Sequence, residues 1–130
     1  MSLQIFGGRG FVGSAFVAKN PGCNVKERHD HTVDKDRDAL YMISTVTNYN
    51  VKTDPYIDIN TNLILLMKVL NQFKYTDRTF NFVSSWFVYG NTQMPATEES
   101  ICNPTGFYSI TKRCAEQLLV SFCETFNIKY

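Results

Sequence analysis

The feature that most constrains this chain lies in its first nineteen residues. An apolar run, Leu3–Phe6, breaks into Gly7-Gly8-Arg9-Gly10-Phe11-Val12-Gly13. A second apolar-rich segment, Phe11–Lys19, follows until Asn20-Pro21-Gly22 stops it. The short run reads as a buried strand and the longer one as a helix. Glycines spaced as Gly7-x-x-Gly10-x-x-Gly13 let the strand turn tightly, let backbone N–H groups approach an anion, and let the helix lie close to the sheet. A helix N-terminus adds partial positive charge at the same point, so the ligand expected at this turn is a pyrophosphate.

The rest of the chain keeps the alternation. Cys23–Glu27 and Ala39–Val46 are candidate strands. Residues Ile59–Phe73 read as one helix with Ile59, Leu63, Leu66, Met67 and Leu70 on a common face. Phe80–Val83 is strand-like, and a last helix spans about Tyr108 to Phe126, with Ala115, Leu118, Leu119, Phe122 and Phe126 in register. Strands separated by helices point to a parallel, doubly wound α/β sheet, each crossover supplied by a helix. With 130 residues and no repeats or low-complexity linker, one domain is expected, covering 1–130.

Composition narrows the function classes. A net charge of +1 lacks the basic footprint of a nucleic-acid binder. No apolar run is long enough for a membrane span, and glycines and Arg9 interrupt the first apolar stretch where a signal peptide would continue. Cys23, Cys102, Cys114 and Cys123 form no CxxC pair, which suits reduced thiols in a cytoplasm. His29 and His31 alternate along an extended segment and do not converge, so no metal site is expected.

Two further groups of residues carry chemistry. Glu27 lies twenty residues after Gly7, where an acidic group would accept the ribose hydroxyls of NAD. Arg9 and Arg28 lie beside it, and guanidiniums there favour the 2′-phosphate of NADP, giving a slight lean to NADP. Tyr108 and Lys112 are four residues apart on one helix face, where an ammonium favours a phenolate and suits the tyrosine to proton transfer. Upstream, an apolar strand ends in Ser84-Ser85, at the strand end that faces the ligand crevice of a parallel sheet. Ser85 is placed to hydrogen-bond a reacting carbinol or carbonyl oxygen.

Taken in order, Gly7–Gly13, Val83-Ser84-Ser85 with Val88-Tyr89-Gly90, and Tyr108-x-x-x-Lys112 resemble the extended short-chain dehydrogenase/reductase superfamily. More narrowly, the chain resembles its NAD-dependent epimerase/dehydratase family, acting on nucleotide sugars. The resemblance runs from the first strand to about Phe126 and implies a Rossmann-like fold with oxidoreductase, isomerase or lyase chemistry. It implies that Tyr108 is the acid/base, that Lys112 supports it and binds the nicotinamide ribose, and that Ser85, with Ser84 beside it, orients the substrate oxygen. It also places Ser44, Thr45 and Val46 along the nicotinamide side of the cofactor. Asn60 matches a family asparagine near the cofactor, with Asn62 as the rival alignment, and Asn103–Phe107 fits the loop into the tyrosine. A homodimer through the helices near 59–73 and 108–126 is implied as well.

The pattern departs from the family in two places. Only thirteen residues, Glu27 to Ala39, separate Lys26 from Leu40, too few for the usual helix, strand and helix. An acidic residue from that missing strand normally borders the adenine. Asp34, Asp36 and Asp38 are candidates to replace it, against the plainer reading of solvated loop charges. The sequence also stops at Tyr130, where a further strand is expected, before the small lobe that would hold a nucleotide sugar. The expectation is therefore an incomplete NAD(P)-binding domain, shortened between its second and third strands. The alternative reading is a non-catalytic dinucleotide-binding or dimerising fragment of such an enzyme.

Overall fold

The computed structural model describes residues 3–46 and 48–130. Four parallel strands form one sheet in the order β2-β1-β3-β4: β1 is Leu3–Phe6, β2 Asn24–Val25, β3 Asp38–Tyr41 and β4 Phe80–Phe82. The helices are α1 (Phe11–Lys19), α2 (Leu65–Phe73) and α3 (Phe107–Phe126), with a π-helical segment at Ile59–Ile64 and short 3₁₀ turns at Asn50–Lys52 and Trp86–Val88. Phe6 pairs with Tyr41 and Tyr41 with Phe82, so these rings share one face of the sheet.

That face carries the core. Tyr41 lies against Phe6, Phe80 and Phe82, and Phe73 meets Phe80 edge-on at 5.4 Å. Leu66, Val69 and Leu70 from α2 and Ala115, Leu119 and Cys123 from α3 close over them. The glycine turn brings α1 to the opposite face, since a Cβ at Gly8 would meet the side chains of Val25, Ile5 and Val17. Helices on both faces of a parallel sheet make this a Rossmann-like, doubly wound α/β fold.

Three expected elements come out shorter or altered. β2 keeps only Asn24 and Val25 because it is an edge strand, paired on one side alone. β3 ends at Tyr41, after which the chain leaves the sheet through Met42–Val46. The helix from Ile59 begins as a π turn, which inserts a residue and shifts the buried stripe. The fully buried positions become Asn62, Leu66, Val69, Leu70 and Phe73, while Leu63 and Met67 are half-buried.

The short connection between β2 and β3 is sewn to the sheet by polar side chains. Gln4, fully buried on β1, donates to the carbonyls of Asp34 (2.7 Å) and Arg37 (3.1 Å) and accepts from Asp34 N–H (2.9 Å). Asp34 also takes Lys26 Nζ at 2.8 Å and Asn24 Nδ2 at 2.5 Å. Asp38 accepts from Thr79 N–H at 2.9 Å. Asp34 and Asp38 are thus structural anchors of the connection. After α3 the chain passes Ile128 and lays Lys129 parallel to Thr79, with Phe80 N–H donating to the Lys129 carbonyl at 2.8 Å.

Candidate functional site

The turn after β1 requires its glycines. Gly7 has φ +86°, and a Cβ there would come within 2.9 Å of the Met42 carbonyl carbon. A Cβ at Gly13 would lie 2.3 Å from the Gly7 carbonyl oxygen, so α1 can start this close to β1 only without a side chain. Gly10 caps α1 with no side-chain hydrogen bond, Ser14 Oγ donates to the Phe11 carbonyl at 3.1 Å and leaves the amides alone, and no acidic residue stands in the first turn. The N-terminal amides are therefore open to an anion. Phe11 and Val12 project into solvent.

In front of this turn lies a cleft of about 550 Å³. Gly7, Arg9 and Gly10 form one wall, residues Lys26 to His31 another, and Met42, Ile43, Ser44, Thr61 and Leu65 the rest. On its rim Arg9 donates to Glu27 Oε1 through both Nη2 (2.5 Å) and Nε (3.2 Å). That hydrogen bond and the charge behind it hold the Glu27 carboxyl below the usual carboxylate range and raise the Arg9 guanidinium. Both side chains are largely solvated, so the pair opens at little cost.

The second part of the site is built at the end of β4 and the start of α3. Ser85 caps the 3₁₀ turn Trp86–Val88, its Oγ accepting from Phe87 N–H at 3.2 Å. The Phe87 ring then stands edge-on to the Tyr108 ring at 5.9 Å, so one residue braces both Ser85 and Tyr108. Gly106, at φ +84°, starts α3, and the Asn48 side chain fills the space a Cβ would need. Lys112, one turn after Tyr108, is buried; its Nζ donates to the Val83 carbonyl at 2.9 Å and sits 4.3 Å from the Phe82 ring centre. Burial pulls this ammonium down to about pKa 8, only partly offset by Glu116. An ammonium held with one carbonyl and one ring face has donor capacity left for an anionic oxygen.

Between the two parts runs a buried polar chain. Asn62 accepts from Thr45 N–H (3.0 Å) and donates to Thr45 Oγ1 and Thr111 Oγ1 (2.9 Å each). Thr111 Oγ1 donates to the Tyr108 carbonyl at 3.0 Å, and Thr45 Oγ1 donates to Asp58. Asn48 Oδ1 accepts from both the N–H and Oγ of Ser109, at 3.1 Å.

The model of the NAD dependent epimerase/dehydratase family matches residues 23–130. The chain belongs to this family. The match begins at Cys23, past the glycine turn; likeness in fold to solved structures extends over nearly the whole chain. RMD from Pseudomonas aeruginosa, complexed with NADPH, superposes with a TM-score of 0.81 at 22% identity, covering 97% of this chain and 50% of that one. UDP-glucuronic acid 4-epimerase from Bacillus cereus, in complex with UDP-glucuronic acid and NAD, gives 0.83 at 18% identity, covering 98% and 54%. UDP-glucose 4-epimerase from Thermotoga maritima, with UDP-glucose, gives 0.82 at 22% identity, covering 100% and 53%. The chain thus spans about half the length of these structures. Among curated proteins none matches it in sequence.

Set out on this epimerase/dehydratase fold, the residues expected from sequence fall into three groups. Gly7, Arg9, Gly10, Arg28 and Ser44 line the glycine cleft, and Phe11, Val12 and Gly13 continue the turn beside it. Ser85, Tyr108 and Lys112 gather around Phe87 and the end of β4. The others are dispersed. Ser84, its Oγ buried without a partner, lines a different cleft on the β4 side with Arg113 and Glu116, because alternate residues after the strand point apart. Val46 and Asn60 are exposed, and Thr45 is tied to Asn62 and Asp58. Sequence reasoning passed over Asp58, Asn48 and Thr111, and held Asn62 only as a rival. A polar residue inside an otherwise apolar helix face was the available signal for Asn62. Among the described residues no cluster of His, Cys, Asp or Glu is placed to hold a metal.

Proposed function

We propose that this chain is the dinucleotide-binding half of an NAD(P)-dependent oxidoreductase that transforms a nucleotide sugar through Tyr108, Lys112 and Ser85. The observation that carries the reading is the joint presence, at the carboxyl ends of β1, β3 and β4, of a helix N-terminus without a side-chain cap over a glycine cleft and of a buried Tyr–Lys turn. The residues of the cleft fit a nicotinamide dinucleotide: the turn amides would hold its pyrophosphate, and Glu27, Arg9 and Arg28 would serve its adenosine ribose. When bound, the nicotinamide accepts or returns a hydride from the sugar carbon. Tyr108 takes up or delivers the hydroxyl proton, and Ser85, whose oxygen accepts from Phe87, keeps its own hydrogen for the reacting oxygen. Lys112, protonated below about pH 8, carries a poorly solvated charge with donors left for an anionic oxygen or a ribose hydroxyl.

The lean to NADP rests on Arg28, since Arg9 is already engaged by Glu27. Ile64, Ile110 and Leu118 are exposed on the helices near 59–73 and 108–126, which supports a homodimer through those faces. Four free cysteines suit a cytoplasmic protein. Tyr108→Phe is expected to lower turnover of a UDP-sugar by about 10²-fold or more while cofactor affinity stays within about twofold. Undiminished turnover in that variant discards the assignment. One fact favours the second reading, a non-catalytic dinucleotide-binding fragment: the chain spans about half of its structural relatives. Cofactor binding with no turnover of any UDP-sugar by the chain alone selects it.

A further inference from the structure

Asn62 is 2% exposed and uses both amide hydrogens and its carbonyl oxygen in hydrogen bonds. It turns inward because the π segment Ile59–Ile64 shifts the helix phase at this position. Its bonds impose a direction on their neighbours. Each amide hydrogen enters a threonine hydroxyl oxygen, so each threonine must send its own hydrogen onward, Thr45 to Asp58 and Thr111 to the Tyr108 carbonyl. The result is a chain with one hydrogen per link, from the buried Asp58 through Thr45, Asn62 and Thr111 to the backbone of Tyr108.

The two ends of that chain belong to different halves of the site. Thr45 follows Ser44, which lines the glycine cleft. Thr111 lies between Tyr108 and Lys112 on the first turns of α3. A buried amide shared by both cannot follow one without pulling on the other, since breaking any link leaves a polar atom buried and unpaired. We propose that Asn62 is a positioning residue that couples occupancy of the cofactor cleft to the first turns of α3, so that a bound dinucleotide stiffens the segment carrying Tyr108 and Lys112. This rests on the cofactor reading given above. Asn48, bonded to Ser109, holds the same turn by a route that avoids Asn62 and keeps it folded when the coupling is cut.

The test is hydrogen exchange of the whole chain with and without saturating NADPH, in wild type and in Thr111→Val, which removes one hydroxyl at nearly constant volume. In wild type, NADPH is expected to slow exchange at 43–46 and, by about tenfold, at 107–113. In Thr111→Val the slowing at 43–46 stays and most of that at 107–113 is lost; Thr111→Ser restores it. A merely structural hydroxyl would speed exchange at 107–113 equally in the free and bound states, leaving their ratio at the wild-type value, and that result overturns the coupling. Wild type protected at 43–46 and unprotected at 107–113 overturns it too. If Thr111→Val does not fold, Asn62→Ala cuts the same link from the other side and carries the same expectation. No slowing anywhere in wild type removes the cofactor reading itself, a separate and recognisable failure.

Discussion

Replacing Lys112 by methionine should make the protein more stable near neutral pH while disabling its site. Lys112 is 1% exposed, and burial lowers its pKa from 10.5 to about 8. The unfolded chain therefore binds more protons than the native one between these values, and stability rises with pH across that window. Below pH 8 the ammonium is charged in both states, and the native state bears the full desolvation cost, roughly 3 kcal/mol at about 1.4 per unit. Methionine retains the apolar stem and removes the charge, but forfeits the bond to the Val83 carbonyl, worth about 1 kcal/mol. The net expectation is a gain of about 2 kcal/mol at pH 7, with the gap to wild type closed by pH 10. Urea denaturation of both proteins at the two pH values measures it. A variant less stable than wild type at pH 7, with the pH dependence of the difference flat, would refute the claim that burial strains this ammonium.

The other expectations concern the turn, the short connection and the helix face. Gly13→Ala drives a Cβ into the Gly7 carbonyl and should cost more than about 2 kcal/mol and weaken dinucleotide binding at least tenfold, checked by thermal denaturation and titration. Gln4→Leu leaves the Asp34 N–H and the Arg37 carbonyl without their partner, while the Asp34 carbonyl keeps the Arg37 N–H, and should cost about 2 kcal/mol, with faster proteolysis between residues 26 and 37. Ile110→Glu, on the exposed side of α3, should leave the fold intact and abolish any dimer seen by sedimentation velocity.

How much of this was legible in the residues follows from how local each signal is. The strand Leu3–Phe6, its glycines and the helix Phe11–Lys19 were readable because turn, cap and periodicity all lie within nineteen residues. The Tyr108–Lys112 spacing was equally local. Phase within the helix from Ile59 was not, because the π turn is stabilised by partners 17 and 49 residues away, Thr45 and Thr111, which no periodicity contains. Nor was the fate of the acidic residues after β2: Asp34 looked like a solvated loop charge and is an anchor, since Gln4, Asn24 and Lys26 converge on it only once β1 and β2 are side by side. The engagement of Arg9 by Glu27 likewise needed the turn and the end of β2 to meet.

The most direct test of the central claim is a titration of the purified chain with NADPH and with NADH at one fixed salt concentration, followed through Trp86. This single tryptophan is next to Ser85 and half exposed, so its emission reports a nicotinamide bound nearby. Saturable binding of at least one of the two, lost in Gly13→Ala, is the predicted result, and tighter binding of NADPH would assign Arg28 to the 2′-phosphate. Failure of both to bind a folded chain would contradict the account, leaving a glycine turn without a ligand.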